Sequence, residues 1–316
     1  HENSSAASDV YKRQEYKMPV ALAPVGSLGM QRADGEILAA QAAEGFGVPF
    51  TLSTMSICSI EEVARNTSKP FWFQLYVMRD HDFAKRLVER AKAAQCSALV
   101  LTLDLQILGQ RHADIRNGLS IPLKIKLSNL FDLLSKPSWC YQMARTKNRT
   151  FGNVMGHVKD ITNLNSLTKW VQDQFDTRLN WDDVKRIKDW WGGKLIIKGI
   201  MDPDDAKMAQ KCGADALVVS NHGGRQLDGV NSSISTLPEI KKAVSNMEVL
   251  MDGGISSGQD ILKAIAMGAE GVMIGRSFVY GLSAGGKEGV TKSLEILNKE
   301  LDMTMALCGR RDIKDV

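Results

Sequence analysis

The ten residues SNHGGRQLDG at positions 220–229 place a histidine and an arginine three positions apart, with only two glycines between them. A histidine side chain can accept a proton at physiological pH, so His222 is a candidate base. The planar guanidinium of Arg225 carries paired N–H donors that match a carboxylate. Because two glycines permit a tight turn, both side chains can face one small anionic ligand.

Further polar residues follow other apolar runs in the same way. Asp104 and Arg111 come after the run ALVLTLD, and Tyr76 closes the run FWFQLY. Asp104 can hold the imidazole of His222 and favour its protonated form, Arg111 can give a second grip on a carboxylate, and Tyr76 can contact a substrate oxygen. Two plainer interpretations stay open, since a lone histidine is often structural and an aspartate after a strand is often a helix N-cap.

Lys198 lies inside an apolar run, LIIKG. A buried lysine is costly unless it is paired or used, so this position indicates a functional charge that would stabilise an anionic reduced cofactor. Strand alternation also allows the side chain to point outward and to extend between helices toward solvent. The sequence does not decide between these two orientations.

Two glycine-lined segments near the C-terminus, DGGISSG and IGRSF, each precede a helical pattern. Free backbone amides at a helix N-terminus bind phosphate, and Arg276 adds a cation. Each cluster alone is also compatible with an ordinary tight turn. Together they predict a phosphate site at these two loops, with Arg276 as its cation.

Eight short apolar runs alternate with helical patterns from Met18 onward, which is typical of parallel βα units. The predicted strands lie at 19–24, 49–53, 71–77, 98–104, 194–199, 216–220, 248–252 and 271–275. Eight units predict an α/β fold, a closed (β/α)8 TIM barrel, whose chemistry belongs at the carboxyl ends of the strands. An open doubly wound sheet is the alternative, and the absence of a GxGxxG segment after the first strand disfavours it.

The long connection after the fourth strand, residues 105–180, interrupts this rhythm. Its central part, residues 118–159, holds seven Lys or Arg against one acid, Asp132, with four aromatic residues interleaved. One interpretation is a solvated, mobile excursion from the barrel. The other is a segment that docks on an anionic membrane surface.

The overall composition excludes several classes of protein. A net charge of +4 is too small to indicate nucleic-acid binding, and no apolar run reaches the roughly 18 residues of a membrane span. Five dispersed cysteines without a CxxC pair predict reduced thiols in a cytoplasmic protein and no metal site. We interpret residues 1–14 as a non-native scar, which leaves residues 15–316 as one barrel and predicts that the native N-terminus is missing.

These motifs together carry a family resemblance. SNHGGRQLDG, APVG, TLST, FQLYV, IIKG, DGGI and GRSF occur in the order found in the FMN-dependent 2-hydroxy acid dehydrogenases and oxidases. The resemblance spans residues 16–316, and within the family it is strongest to the bacterial respiratory L-lactate dehydrogenases. It implies a single FMN-binding barrel.

The resemblance also implies residue roles. His222 would take the substrate proton, Asp104 would steady the imidazolium, and Tyr76 would contact the reacting oxygen. Substrate binding would involve Arg111, Arg225, Tyr76, Gly26 and Met55. The cofactor would be held by Pro24, Val25, Gly26, Ser53, Gln74, Thr102, Lys198, Ser220, Asp252, Gly254, Gly275 and Arg276. Ser256 stands where the family usually carries a phosphate-binding arginine, which predicts weaker cofactor binding.

The implied activity is oxidation of L-lactate to pyruvate, with electrons passed to a quinone by a protein that contacts the inner face of the cell membrane peripherally. The enzyme alternative keeps this chemistry and uses O2, as an oxidase or lactate monooxygenase. The non-enzyme alternative is an inactive truncated barrel. Relatives that assemble around fourfold axes imply a tetramer-like homo-oligomer. The carboxylate-binding signature disfavours flavin isomerases and reductases on similar barrels.

Overall fold

A computed structural model describes residues 16–107, 109, 111–112, 116–117, 133–158, 170, 173–174 and 177–316. Every predicted apolar run forms a strand; six strands are shorter than their runs, one matches its run, and one extends a residue beyond it. The eight strands are β1 (Val20–Leu22), β2 (Thr51–Ser53), β3 (Trp72–Tyr76), β4 (Ala98–Thr102), β5 (Lys194–Ile200), β6 (Ala216–Val219), β7 (Glu248–Asp252) and β8 (Gly271–Ile274).

The strands are parallel and their order closes a barrel. Hydrogen-bonded neighbours run β1-β8-β7-β6-β5-β4-β3-β2. The remaining seam between β1 and β2 is joined by a parallel bridge between Leu22 and Phe50 and by a 2.8 Å hydrogen bond from Leu22 N to Pro49 O. The predicted (β/α)8 barrel is confirmed, and the open-sheet alternative is wrong.

The barrel interior is filled around one large side chain. Trp72 of β3 is 2% exposed and belongs to an inner cluster that also contains four alanines and five larger apolar side chains: Ala21, Ala23, Ala98, Ala216, Val100, Ile196, Val218, Leu250 and Met273. Strand alternation turns every second side chain inward, so alanines leave the room that one indole occupies. This apolar plug lies below the polar residues at the carboxyl ends of the strands.

Ten α-helices of the described residues surround or extend the barrel. They are α1 (Leu28–Gln31), α2 (Gly35–Phe46), α3 (Ile60–Arg65), α4 (His81–Ala93), α5 (Pro137–Arg145), α6 (Trp181–Trp191), α7 (Pro203–Lys211), α8 (Ser233–Ala243), α9 (Gly258–Ala266) and α10 (Arg276–Leu307). Side-chain capping fixes several starts: Ser59, Asn180 and Ser257 each form a capping box with the acid three residues later. No helix in the described part of the chain is both long enough and apolar enough to cross a membrane.

Between β4 and α6, the described later part of the predicted insertion packs on the barrel. The side chain of Asn153 is fully buried: its Nδ2 donates to Ser56 Oγ at 2.9 Å, and its Oδ1 accepts from Ile60 N at 3.0 Å. Val154 is also fully buried, and Arg90 donates to Asn153 O at 3.1 Å. Residues 146–158 are therefore anchored on the loop after β2, so a solvated excursion does not describe this part of the insertion. Residues 118–132, which include part of the predicted basic segment, lie outside the described residues.

Candidate active site

The carboxyl ends of β4 and β6 bring His222 and Asp104 together. Nδ1 of His222 lies 2.9 Å from Oδ1 of Asp104, although 118 positions separate them in the chain. His222 has a φ of 58°, in the left-handed region, and the next residues, Gly223 and Gly224, share that conformation. A non-glycine residue held in this region marks a constrained turn, and here it directs the ring toward Asp104. With Nδ1 committed to the carboxylate, Nε2 is the ring nitrogen that can accept a proton from a substrate.

Asp104 is kept charged by its surroundings. Burial raises the pKa of its carboxyl, but the positive charge of Lys198 and the hydrogen bond from His222 outweigh burial, so the pKa lies below its usual value. Gly199 creates the space for this carboxylate, because a Cβ at that position would lie 2.7 Å from both Cβ and Cγ of Asp104. A stably ionised aspartate on Nδ1 favours the imidazolium form that proton abstraction would create.

Lys198 lies inside the barrel, so the outward orientation left open by the sequence is wrong. Its Nζ lies 2.8 Å from Oδ2 of Asp252 and donates to Ser220 Oγ at 2.8 Å. The side chain is 5% exposed. Burial lowers its pKa, yet the charges of Asp252 and Asp104 outweigh burial and raise it overall. Lys198 is therefore a fixed positive charge beneath the His222–Asp104 pair.

Several buried polar atoms at this mouth have no hydrogen-bond partner among the described residues. They include Nε2 of Gln74, Oγ1 of Thr102 and Oδ1 of Asp252. The other amide atom of Gln74, Oε1, accepts from Ser53 Oγ at 3.2 Å and from Thr54 N at 3.3 Å, which fixes which end of the amide points inward. Each unsatisfied buried group costs about 1–3 kcal/mol, so the set fits a ligand rich in ring carbonyls, ring nitrogens and hydroxyls, as a flavin with its ribityl chain is.

Tyr76 is the last residue of β3 and half-buried at the same rim. Burial, followed by the charge of Asp104, raises the pKa of its hydroxyl to about 12. The phenol therefore stays protonated at neutral pH and is a hydrogen-bond donor for a substrate oxygen.

The two predicted carboxylate-binding arginines occupy loops that contact each other. Arg111 donates through Nη2 to Gln226 Oε1 at 3.3 Å, so it lies against the loop that carries His222. Arg225 ends the turn after His222 and is exposed. The loop after β1 packs on the loop after β2: Ser27 N donates to Met55 O at 2.9 Å, and a Cβ on Gly26 would lie 3.3 Å from the same carbonyl oxygen. Pro24 and Val25 are half-buried beside them.

The predicted phosphate region offers fewer available backbone N–H donors than its glycines suggest. Oδ2 of Asp260 accepts four hydrogen bonds, from the backbone N and the Oγ of both Ser256 and Ser257, at 2.9–3.1 Å. Gly258 N donates to Glu300 Oε2 at 2.9 Å. Gly254 remains exposed with a φ of 80°, and Arg276 donates to Gly223 O at 3.3 Å. The first amides of α9 are thus already used, which leaves Gly254, Gly275 and Arg276 as the groups suited to an anion.

Replacement of Ser256 by arginine is expected to tighten FMN binding by about tenfold or more, since it adds a charge-assisted contact to a site where backbone donors are occupied. Quenching of flavin fluorescence measures the dissociation constant. Riboflavin, which lacks the phosphate, is the control ligand, and its affinity should not change. An unchanged FMN affinity would mean that the new guanidinium pairs with Asp260 instead.

Three contributing residues were not assigned roles from the sequence. Gln226 joins the loops after β4 and β6, Gly199 makes room for Asp104, and Asn153 holds the loop that carries Ser53 and Met55. Gln226 and Gly199 had a sequence signal, since Gln226 directly follows Arg225 in the SNHGGRQLDG segment and Gly199 ends the IIKG motif. Among the described residues, no cluster of three or more histidine, cysteine, aspartate or glutamate side chains is arranged to hold a metal ion.

Comparisons with known proteins agree with this geometry. A family model described as FMN-dependent dehydrogenase matches residues 11–316. L-lactate dehydrogenase of Haemophilus influenzae (strain PittEE) is 46% identical over 305 residues, which cover 96% of this chain and 80% of that protein. L-lactate dehydrogenase of Xanthobacter autotrophicus (strain ATCC BAA-1158 / Py2) is 45% identical over 306 residues, with 96% and 79% covered.

Solved structures show the same fold. The monotopic membrane protein (S)-mandelate dehydrogenase superposes with a TM-score of 0.90 at 35% identity, covering 97% of this chain and 81% of that one. A mandelate oxidase with (S)-4-hydroxymandelic acid superposes with a TM-score of 0.82 at 34% identity, covering 99% of this chain and 82% of that one.

Proposed function

The chain belongs to the FMN-dependent dehydrogenase family, and we propose that it oxidises L-lactate to pyruvate. The observation that carries this proposal is the His222–Asp104 pair, with a 2.9 Å contact above a buried lysine at the mouth of the barrel. The 45–46% identity to L-lactate dehydrogenases over 96% of the chain supports lactate as the substrate.

Oxidation of lactate to pyruvate removes two electrons and two protons, and bound FMN would take up both electrons together with one of the protons. His222 accepts one proton at Nε2, and Asp104 stabilises the imidazolium that results. Tyr76 donates its hydroxyl hydrogen to the substrate oxygen, whose negative charge grows as its proton leaves. Arg111 and Arg225 bind the substrate carboxylate, which fixes the side on which the hydroxyl faces His222.

The residues that would hold FMN are those with unsatisfied or convergent polar groups at the mouth. Lys198 would stabilise the negative charge of a reduced flavin ring, and hydrogen bonds to the ring would come from Gln74, Thr102, Ser53 and Ser220. The segment Pro24–Gly26 lies along the opposite wall and Asp252 is available to ribityl hydroxyls. Gly254, Gly275 and Arg276 bind the phosphate.

We further propose a quinone as the electron acceptor and a peripheral site at the inner face of the cell membrane. In the described part of the basic insertion, Leu134 is 70% exposed and Tyr141 is 59% exposed, close in sequence to Lys136 and Arg145. Exposed apolar side chains beside cations suit an anionic lipid surface. The name of a structural neighbour, a monotopic membrane protein, supports a membrane contact.

Residues 15–316 would then form one FMN-binding barrel with residues 105–180 as an extended fourth loop, assembled as a homotetramer. Light scattering on the purified chain tests the assembly. The scattering mass of a monomer would contradict it.

The experiment that tests the function is anaerobic titration of the FMN-loaded chain with L-lactate, D-lactate, glycolate and (S)-mandelate. Loss of the flavin's visible absorption with L-lactate at the lowest concentration is the expected result. Reoxidation by a soluble quinone analogue should then be much faster than by air. Fast reoxidation by air alone would favour an O2-using oxidase, and a chain that takes up no FMN would be an inactive barrel.

A further inference from the structure

The loops after β4 and β6 approach each other so closely that they leave no room for a side chain between them. A Cβ on Gly109 would lie 2.5 Å from Gln226 O and 2.8 Å from Arg225 O. Each loop carries residues assigned to the substrate, Asp104 and Arg111 on one and His222 on the other. Their relative placement therefore depends on what joins the two loops.

The side chain of Gln226 joins the two loops, in addition to the contact between His222 and Asp104. Nε2 of Gln226 donates to Ile107 O at 2.9 Å and to Asp104 O at 3.2 Å, while Oε1 accepts from Arg111 Nη2 at 3.3 Å. All three partners belong to the loop after β4, 115 to 122 positions away in sequence. The amide of Gln226 thus contacts that loop at Asp104, at Ile107 and at Arg111.

Only one orientation of this amide satisfies its neighbours. If the oxygen and nitrogen of Gln226 were exchanged, an NH2 group would face the guanidinium of Arg111 and an oxygen would face two carbonyl oxygens, so every contact would be repulsive. A glutamate would keep the contact to Arg111 but lose both donors. Only an amide of this length supplies an acceptor and two donors at these positions.

We propose that Gln226 is a positioning residue that fixes Arg111 for the substrate carboxylate. This role rests on the proposed function, in which Arg111 binds that carboxylate. A guanidinium has five N–H donors, so a hydrogen bond to Gln226 uses one and orients the plane of the others. The carboxylate of Asp104 is held independently, by His222 and by the space above Gly199.

The test compares Gln226→Ala and Gln226→Glu with the wild type, all loaded with FMN. Gln226→Ala should raise KM for L-lactate and the dissociation constant of pyruvate by about tenfold, while kcat changes by no more than about twofold. Gln226→Glu should weaken pyruvate binding further, by about a hundredfold, because the new carboxylate neutralises Arg111 and repels the ligand. Perturbation of the flavin absorption spectrum measures pyruvate binding, and the affinity for FMN should stay unchanged in both variants.

The matched control is Gln41→Ala, which removes a glutamine that donates to Asn66 O at 3.0 Å on a remote, exposed surface. It should leave KM and pyruvate binding unchanged. Wild-type pyruvate affinity in Gln226→Ala overturns the positioning role. If Gln226→Ala does not fold, wild-type pyruvate affinity in Gln226→Glu overturns it in the same way.

Failure of the proposed function gives a different pattern. A wild-type chain that binds FMN but is reduced by no 2-hydroxy acid overturns the function and this role with it. If the wild type oxidises L-lactate and both Gln226 variants bind pyruvate as tightly as the wild type does, this role alone is overturned.

Discussion

Replacement of His222 by glutamine is expected to lower kcat for L-lactate by about a thousandfold, the loss typical of removing a general base. Glutamine keeps a hydrogen-bonding group of similar length, so the contact to Asp104 and the turn through Gly223 are preserved. It cannot take a proton near neutral pH. Rapid mixing of the FMN-loaded variant with lactate, followed by the rate of flavin reduction, measures the effect on the chemical step directly.

Two controls belong to this measurement. His157→Gln changes an exposed histidine of the insertion and should reduce flavin at the wild-type rate. FMN affinity of His222→Gln should equal that of the wild type, since the imidazole belongs to the substrate side of the mouth. Flavin reduction by lactate within tenfold of the wild-type rate would show that another group accepts the proton.

Replacement of Lys198 by methionine is expected to destabilise the fold by about 3–5 kcal/mol, because it leaves the Asp252 carboxylate buried without its 2.8 Å partner. Methionine has nearly the same length and volume, so packing changes little. The midpoint of thermal unfolding should fall on the order of 10 °C. Calorimetry or circular dichroism of the FMN-free chain measures this, which separates the loss of the ion pair from the loss of cofactor.

The same variant, Lys198→Met, should shift the acid limb of the pH–activity profile to higher pH. The charge of Lys198 helps to hold the pKa of Asp104 below its usual value, so its removal raises that pKa. Asp104 must be ionised to stabilise the imidazolium, and activity should therefore fall at a higher pH than in the wild type as the solution is acidified. Lys207→Met, which removes an exposed lysine paired with Asp204, is the control and should change neither stability nor profile. An unchanged unfolding midpoint in Lys198→Met would contradict the structural importance of the buried pair.

The barrel and the residues at its mouth could be predicted from sequence for a simple reason. Inward and outward positions alternate along a strand, so a polar residue that ends an apolar run at the carboxyl end must lie near its counterparts on other strands. Asp104 and His222 follow β4 and β6 at this edge, and the left-handed turn at His222 completes their contact. The orientation of Lys198 could not be decided, because alternation says which residues share a face and does not say which face is inside.

The contacts between loops were beyond the sequence. Nothing in the chain shows that Gln226 reaches Asp104 O, or that a side chain at position 199 would collide with Asp104, since both depend on separations fixed by the closed barrel. Asp260 accepts hydrogen bonds from the backbone amides of Ser256 and Ser257. The capping box between Ser257 and Asp260 is a local pattern that a sequence can suggest. The sequence does not show that these amides are withdrawn from a phosphate ligand, because that depends on the direction in which they point.

The buried Asn153 sets a rule for engineering this protein by exchanging its insertion with that of a relative. A graft that replaces the whole of residues 105–180 removes the amide that clamps Ser56 and Ile60, and it would loosen the wall that bears Ser53 and Met55 even if the new loop were well ordered. A graft that ends before residue 146 keeps this foundation. Crossover points for chimaeras should therefore follow the packing of the segment and not the ends of its flanking strand and helix.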